Sequence, residues 1–164
     1  MIETERLQLR NYTLTDAPFV RKLLNSEAWL KNIGDRNIKT DKDAENYIQK
    51  NYFNSYQKYG YGSYLVSLKE TGKPIGSAGI HKRDSLEHPD IGYAFLPEFW
   101  NNGYAFEATE AVIQFALNQL NIEKIMAITL PENTSSIKLL RKLGLTEVGN
   151  YTYEAGENLL LFSV

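Results

Sequence analysis

The sequence predicts a mixed α/β domain, with a mostly antiparallel central sheet of about six to seven strands flanked by about four helices. Three observations carry this prediction. Short segments alternate polar and apolar residues with the period of a half-buried strand. Longer segments repeat apolar residues at helical spacing behind capping residues. The two kinds interleave in the order β-α-α-β-β-β-α-β-α-β-β. No repeat, linker or low-complexity stretch divides the chain, so residues 1–164 are read as one domain.

Taken in order, Arg6 to Tyr12 alternates as a strand, and Thr15-Asp16 caps a helix with Phe19, Val20, Leu23 and Leu24 on one face. Around Trp29 to Asn37 the pattern breaks, and Ile33-Gly-Asp-Arg36 reads as a loop. Thr40 with Asp43 resembles a capping box and opens a helix to about Tyr59. Tyr61 to Leu68 and Pro74 to His81 form a hairpin about the turn Glu70-Thr-Gly-Lys73, and Ile91 to Leu96 is a third strand of this group, stopped by Pro97. A long helix begins at Gly103, with Ala105, Ala108, Val112, Phe115 and Ala116 at helical spacing. Lys124 to Leu130 is a strand, Asn133 to Leu143 a short helix closed by Gly144, and Glu147 to Tyr153 with Leu159 to Val164 a terminal hairpin.

Composition narrows the function. A formal charge of -2 argues against a basic nucleic-acid-binding surface, yet leaves room for an anionic ligand held by backbone amides. The absence of cysteine removes disulfides, thiolate nucleophiles and Cys-based metal sites. Two histidines, His81 and His88, are too few for a zinc site, and no metal is expected. The charged start Met1-Ile-Glu-Thr-Glu-Arg6 lacks the apolar core of a signal peptide, and no stretch approaches the ~18 apolar residues of a membrane span. The expected location is cytoplasmic, with no membrane or nucleic-acid partner.

The most informative stretch runs from Ile91 to Ala108: a strand, a tight turn holding Gly103, then a helix with small residues near its start. Gly103 permits a positive φ or close backbone approach to a ligand. The successive amides after it, with the helix dipole behind them, would seat a pyrophosphate. An ordinary capped helix fits the same spacing equally well. The stretch is neither the three-glycine dinucleotide fingerprint nor a P-loop.

Phe95-Leu-Pro-Glu-Phe-Trp-Asn-Asn-Gly-Tyr-Ala105 resembles the acyl-CoA-binding motif of the GNAT acetyltransferase superfamily, Gln/Arg-x-x-Gly-x-Gly/Ala after a strand ending in proline. Asn133 to Leu145 resembles that superfamily's second motif, Asn-x-x-Ser/Ala followed by a helix and Gly-Phe. The opening Glu3-Thr-Glu-Arg-Leu-Gln-Leu-Arg10 is similar to the start of the RimJ/RimL-like branch, whose members acetylate protein N-termini and small amines. Three motifs in the right order cover most of the chain. Trp100 stands where many relatives have Gln or Arg, Asn101 where Gly is frequent, and Leu140 where many carry a tyrosine proposed to protonate the departing thiolate.

The resemblance implies acetyl-CoA as co-substrate. Its pantetheine arm would pair with the backbone of Phe95 and Leu96, its phosphates with amides from Asn101 through Asn102, Gly103, Tyr104 and Ala105 to Phe106. Asn133 would fix the arm, a role compatible with capping its own helix. Lys138, Arg141 and Lys142 read better as a solvated helix face than as phosphate ligands.

Catalysis needs a deprotonated amine, an oxyanion donor and stabilisation of sulfur. The oxyanion donor would be a main-chain N–H at the end of the Ile91–Leu96 strand. Asp90, just before Ile-Gly-Tyr, is the leading candidate base, acting directly or through water, against a plain solvated strand end. Ser136 matches a serine thought to protonate sulfur in some relatives, and it equally suits a hydroxyl satisfying its own helix. His81 has the right reference pKa for a base, but its place near a strand end favours a structural or edge role.

The expected activity is direct transfer of acetyl from acetyl-CoA to a protein N-terminus or small-molecule amine in a ternary complex. The alternative is a non-catalytic acyl-CoA-binding or sensing domain of the same fold. An α-amine costs about 1 kcal/mol to deprotonate at pH 7 and a lysine about 4–5 kcal/mol, so an α-amine acceptor would need little base. A homodimer is compatible with the sequence, and no motif specifies one.

Overall fold

The computed structural model describes residues 1–152 and 156–164. Its strands are β1 (Ile2–Glu3), β2 (Leu7–Asn11), β3 (Ser63–Leu68), β4 (Pro74–His81), β5 (Asp90–Phe95), β6 (Met126–Thr129), β7 (Thr146–Thr152) and β8 (Asn158–Ser163). They form one eight-stranded sheet in the order β1-β2-β3-β4-β5-β6-β8-β7, one or two strands more than expected. Every neighbouring pair is antiparallel except β5 with β6. The extra strand is β1, two residues long, too short to show any alternation. Tyr153, expected to end β7, lies outside the described residues.

The helices are α1 (Ala17–Leu24), α2 (Glu27–Asn32), α3 (Asp41–Tyr47), α4 (Asn54–Tyr59), α5 (Tyr104–Gln119) and α6 (Thr134–Lys142). A π-helical stretch, Ile48–Phe53, joins α3 to α4. The helix expected from Thr40 to Tyr59 therefore exists as one rod with a widened middle. Thr40 opens it with the reciprocal capping box, its hydroxyl accepting from the Asp43 N–H at 3.0 Å. The widening sets Tyr47 edge-on to Tyr52, ring centroids 5.4 Å apart. The loop expected over Ile33 to Arg36 is present, and just before it lies α2, which the sequence did not predict. Ser26 caps it, but none of its six residues is buried, so it leaves no apolar stripe in the sequence.

The sheet buries both faces. Ile91 and Phe95 of β5, with Leu7, Leu9, Val66 and Phe162, pack against Ala108, Val112 and Ala116 of α5 and Leu140 of α6. On the other face Leu65, Ala94 and Leu96 meet Val20, Leu23, Ala44 and Ile48 of the α1–α4 layer. Strand alternation assigns the rest: Asp90 and Gly92 share the α1–α4 face with Ala94, and Tyr93 shares the α5–α6 face with Ile91 and Phe95.

The opening motif fastens these layers. Arg10 makes a bidentate pair with Asp16, at 2.8 and 2.9 Å, tying β2 to the start of α1. Burial raises the Asp16 pKa, but its hydrogen bonds to Arg10 and Thr13 outweigh that and hold it below the usual carboxylate value. Thr4 Oγ1 (2.6 Å), the Arg6 N–H (2.8 Å) and Arg6 Nε (2.7 Å) all donate to the Glu107 carboxylate in the first turn of α5.

Candidate active site

β5 and β6 run parallel but are paired at one position only, Asp90 with Met126. The Leu96 N–H donates to the Ile75 carbonyl of β4 at 3.0 Å. Alternation then turns the backbone groups of Tyr93 and Phe95 towards β6, where no strand meets them beyond that single pair. The sheet therefore opens as a wedge with its apex at Asp90 and Met126 and its mouth at Phe95.

At the mouth, the chain turns into α5. Asn101 (φ 62) and Gly103 (φ 80) both take the left-handed conformation, which glycine tolerates freely and asparagine better than most residues. Gly103 occupies the N-cap, and no side chain caps α5, so the amides of Tyr104, Ala105 and Phe106 keep their outward hydrogen-bonding capacity. The turn is braced from behind: Arg6 Nη1 donates to the Asn102 carbonyl at 2.9 Å, and its guanidinium lies 4.5 Å from the Tyr104 ring centre. Asn102 Nδ2 donates to the carbonyls of Phe99 and Trp100. Lys142, at the end of α6, places its ammonium 4.2 Å from the Phe106 ring centre, beside these free amides. Lys142 is exposed, as are Lys138 and Arg141, in keeping with the solvated helix face expected of them. Arg141 approaches Glu147 at 3.8 Å.

One continuous groove of about 1970 Å³ passes through the wedge, walled by α5 and α6 on one side and by α2 to α4 on the other. Of the residues singled out in the sequence, Asp90, Phe95, Asn101, Gly103, Tyr104, Ala105, Phe106, Asn133 and Ser136 line it. Leu96 and Asn102 are not among its lining residues. Leu96 has both main-chain groups engaged within the chain, its N–H with Ile75 and its carbonyl with the N–H of Phe99 at 3.0 Å. The Phe95 carbonyl accepts the Trp100 indole N–H at 2.9 Å, which accounts for a tryptophan at that position.

Asn133 caps α6, its Oδ1 accepting from the Ser136 N–H at 3.2 Å. The Ser136 hydroxyl is not turned back on its own helix. It shares a hydrogen bond of 2.5 Å with the Tyr93 hydroxyl across the wedge. Burial pushes the Tyr93 phenol up to about 12, against the lowering effect of Ser136, so the pair is a neutral proton donor at pH 7. Leu140, at the position of the missing motif tyrosine, is buried in the core. Tyr93 was not singled out in the sequence, because a tyrosine in a strand reads as packing until its partner on another element is known.

Asp90 is 1% exposed, not a solvated strand end, and its Oδ1 accepts from Arg83 Nε at 2.9 Å. Directly across the β4–β5 ladder stands His81, which also lines the groove. His81 lies past the last β3–β4 pair, Ser63 with Gly79, and is paired on the β5 side alone. Burial draws its pKa below the usual histidine value, the Asp90 charge opposing this and Arg83 reinforcing it.

An opening between parallel strands, free amides at a helix start and a donor pair between them suit an extended, phosphate-bearing thioester lying along β5. Comparison with known proteins agrees. The family described as Acetyltransferase (GNAT) domain matches residues 6–146. The uncharacterized N-acetyltransferase YnaD of Bacillus subtilis (strain 168) is 28% identical over 148 residues, 90% of this chain and 84% of that protein. The crystal structure of a GNAT-family acetyltransferase from Bacillus anthracis superposes with a TM-score of 0.82 at 25% identity, over 99% of this chain and 96% of that one. A ribosomal L7/L12 α-N-protein acetyltransferase, RimL, solved with coenzyme A, shares the fold with a TM-score of 0.83 at 18% identity, covering 98% and 94% of the two chains. No helix of the described residues is long and apolar enough to cross a membrane. With its wedge, its uncapped α5 turn and a family match across most of its length, this chain belongs to the GNAT acetyltransferase family.

Proposed function

We propose that the chain transfers an acetyl group from acetyl-CoA to a primary amine by direct attack within the wedge. The observation that carries this is the single β5–β6 pairing at Asp90, which leaves the Tyr93 backbone and the Phe95 N–H open beside the free amides of α5. The amides of Asn101 to Phe106, assisted by Lys142, receive the pyrophosphate. The backbone edge at Phe95 and Tyr93 receives the pantetheine amides in the manner of an added strand. Asn133 holds the start of α6 against the arm. The thioester then lies near the apex, with the α1–α4 face above it and the Tyr93–Ser136 pair below.

The amine enters from the α1–α4 face, where Asp90 is assigned to its proton transfer, acting through its neighbours because its own carboxylate is held by Arg83. Ser136, backed by Tyr93, gives a proton to the departing sulfur. Holding amine and thioester in one groove converts a two-body reaction into an oriented one. A main-chain N–H on the open edge of β5 is the natural donor to the oxyanion.

Chains of this fold include the L7/L12 protein acetyltransferase and a spermidine N-acetyltransferase chimera, so the acceptor is the open variable. The test is a panel containing a peptide with a free N-terminus, spermidine and an aminoglycoside, read by free-thiol release and by the mass of the acetylated amine. Acetyl-CoA-dependent acetylation of at least one member is expected. Tight CoA binding with no acetylation of any of them would favour a binding or sensing role instead.

A further inference from the structure

His81, a titratable side chain lining the groove, has no hydrogen-bond partner among the described residues and stands on the face from which the amine enters. His81 ends β4 opposite Asp90 on the α1–α4 face. Its ring extends across β5: a Cβ built on Gly92 would lie 2.8 Å from His81 Nε2 and 2.9 Å from Cδ2, so only glycine at 92 leaves the ring its place. Gly92 lies two residues past the wedge apex, where the sheet begins to open. Neither ring nitrogen makes a hydrogen bond among the described residues, whereas the hydroxyls of Ser136 and Tyr93 and the carboxylate of Asp90 all have partners. A polar group left open in a groove while its neighbours are satisfied calls for a ligand.

We propose that His81 Nε2 is the group that takes the proton from the acceptor amine, with Asp90 and Arg83 as the positioning residues behind it. This rests on the acetyl-transfer reading above. The imidazole lone pair accepts a proton from the ammonium, and the freed amine lone pair forms the C–N bond at the thioester carbonyl. The adduct loses its second N–H proton to water. The C–S bond breaks with its electron pair going to sulfur, which takes a proton from the Ser136–Tyr93 pair. That pair regains one from water, and the imidazolium returns its proton to solvent, so one proton is released per transfer.

The charged groups that act on the ring are Asp90 and Arg83; Tyr52, Lys58 and Tyr59 of the helical wall line the same groove. Burial keeps the imidazole neutral at pH 7 and so ready to accept. The Asp90 carboxylate already accepts from Arg83 Nε at 2.9 Å, which suits it to a positioning role.

The experiment is a kcat–pH profile of wild type and His81→Gln with the amine that wild type turns over fastest in the panel. CoA-induced thermal stabilisation serves as the control for fold and cofactor site. The expected result is an unchanged CoA response, a kcat lowered about 10²–10⁴-fold at pH 7, and a loss that shrinks as pH rises and the amine deprotonates unaided. A His81→Gln enzyme within a few-fold of wild type at pH 7 overturns the inference alone. Wild type that binds CoA and acetylates no amine overturns the acetyl-transfer reading and this inference with it. Should His81→Gln not fold, wild type decides by modification with diethyl pyrocarbonate: activity is expected to fall in step with carbethoxylation of His81. Full activity with His81 modified contradicts the role.

Discussion

Tyr93 Oη and Ser136 Oγ stand 2.5 Å apart and join the open strand β5 to the start of α6. The two hydroxyls form one donor unit. If Ser136 protonates sulfur with Tyr93 behind it, removing either breaks the same relay. Tyr93→Phe and Ser136→Ala should each lower kcat about 10²-fold, and the double variant should lose little more than one of them. Neither loss should recover at high pH, since the proton concerned travels to sulfur. Single-turnover thiol release checks this, and losses that multiply would mean the hydroxyls act independently.

Asp90 should behave as a holder of its neighbours. Asp90→Asn leaves the Arg83 guanidinium beside a neutral amide in a nearly buried site, at a cost of about 1–3 kcal/mol in stability. It should also lower the pKa of His81 further, because the Asp90 charge is what raises it. Histidine ring titration by NMR reads this directly. A His81 pKa that rises or stays fixed in Asp90→Asn would show that the two do not interact.

Gly103 carries two burdens that the sequence alone presented as alternatives. Its φ of 80 strains any side chain, and a Cβ there would lie 3.3 Å from Arg6 Nη2. Gly103→Val should therefore both weaken CoA binding and cost about 1–2 kcal/mol of stability. Gly103→Asn, which tolerates the left-handed region, should cost less in stability while still crowding the turn. Chemical denaturation alongside CoA titration separates the two effects.

Much of the site was legible because it is local. Gly103, the α5 start, the Asn133 cap and the Thr40 capping box each act within a few residues, and the sequence shows them. The Tyr93–Ser136 bond, the Arg83–Asp90 pair and the placement of His81 over Gly92 join different elements, and no periodicity encodes such a meeting. The opening motif shows both sides of this. Its residues were readable as a resemblance, but their work, clamping Glu107 and Asp16, appears only when β1 and β2 meet α5 and α1. Leu96 differs for a simpler reason: the strand ends one residue early, and its N–H closes the ladder to β4.

The Glu107 clamp gives a pH prediction. Burial raises the Glu107 pKa, but Thr4 and Arg6 outweigh that and hold it below the usual carboxylate value. Its stabilising contribution is complete above the ordinary glutamate pKa and is lost as pH falls through the depressed folded value. Glu107→Gln should remove that part of the acid sensitivity and loosen the Asn102–Gly103 turn, weakening CoA binding several-fold at neutral pH. An unchanged CoA affinity would mean that Arg6 braces the turn without Glu107.

The central claim is that the wedge between β5 and β6 is the seat of acetyl-CoA. Thermal unfolding with and without CoA tests it most directly, since it needs no knowledge of the acceptor. At ligand ~100-fold above its dissociation constant, linkage predicts about 2.7 kcal/mol of stabilisation, a rise in Tm of several degrees for a domain this size. That rise should be strongly reduced in Gly103→Val. A Tm unmoved by saturating CoA and acetyl-CoA would contradict the account.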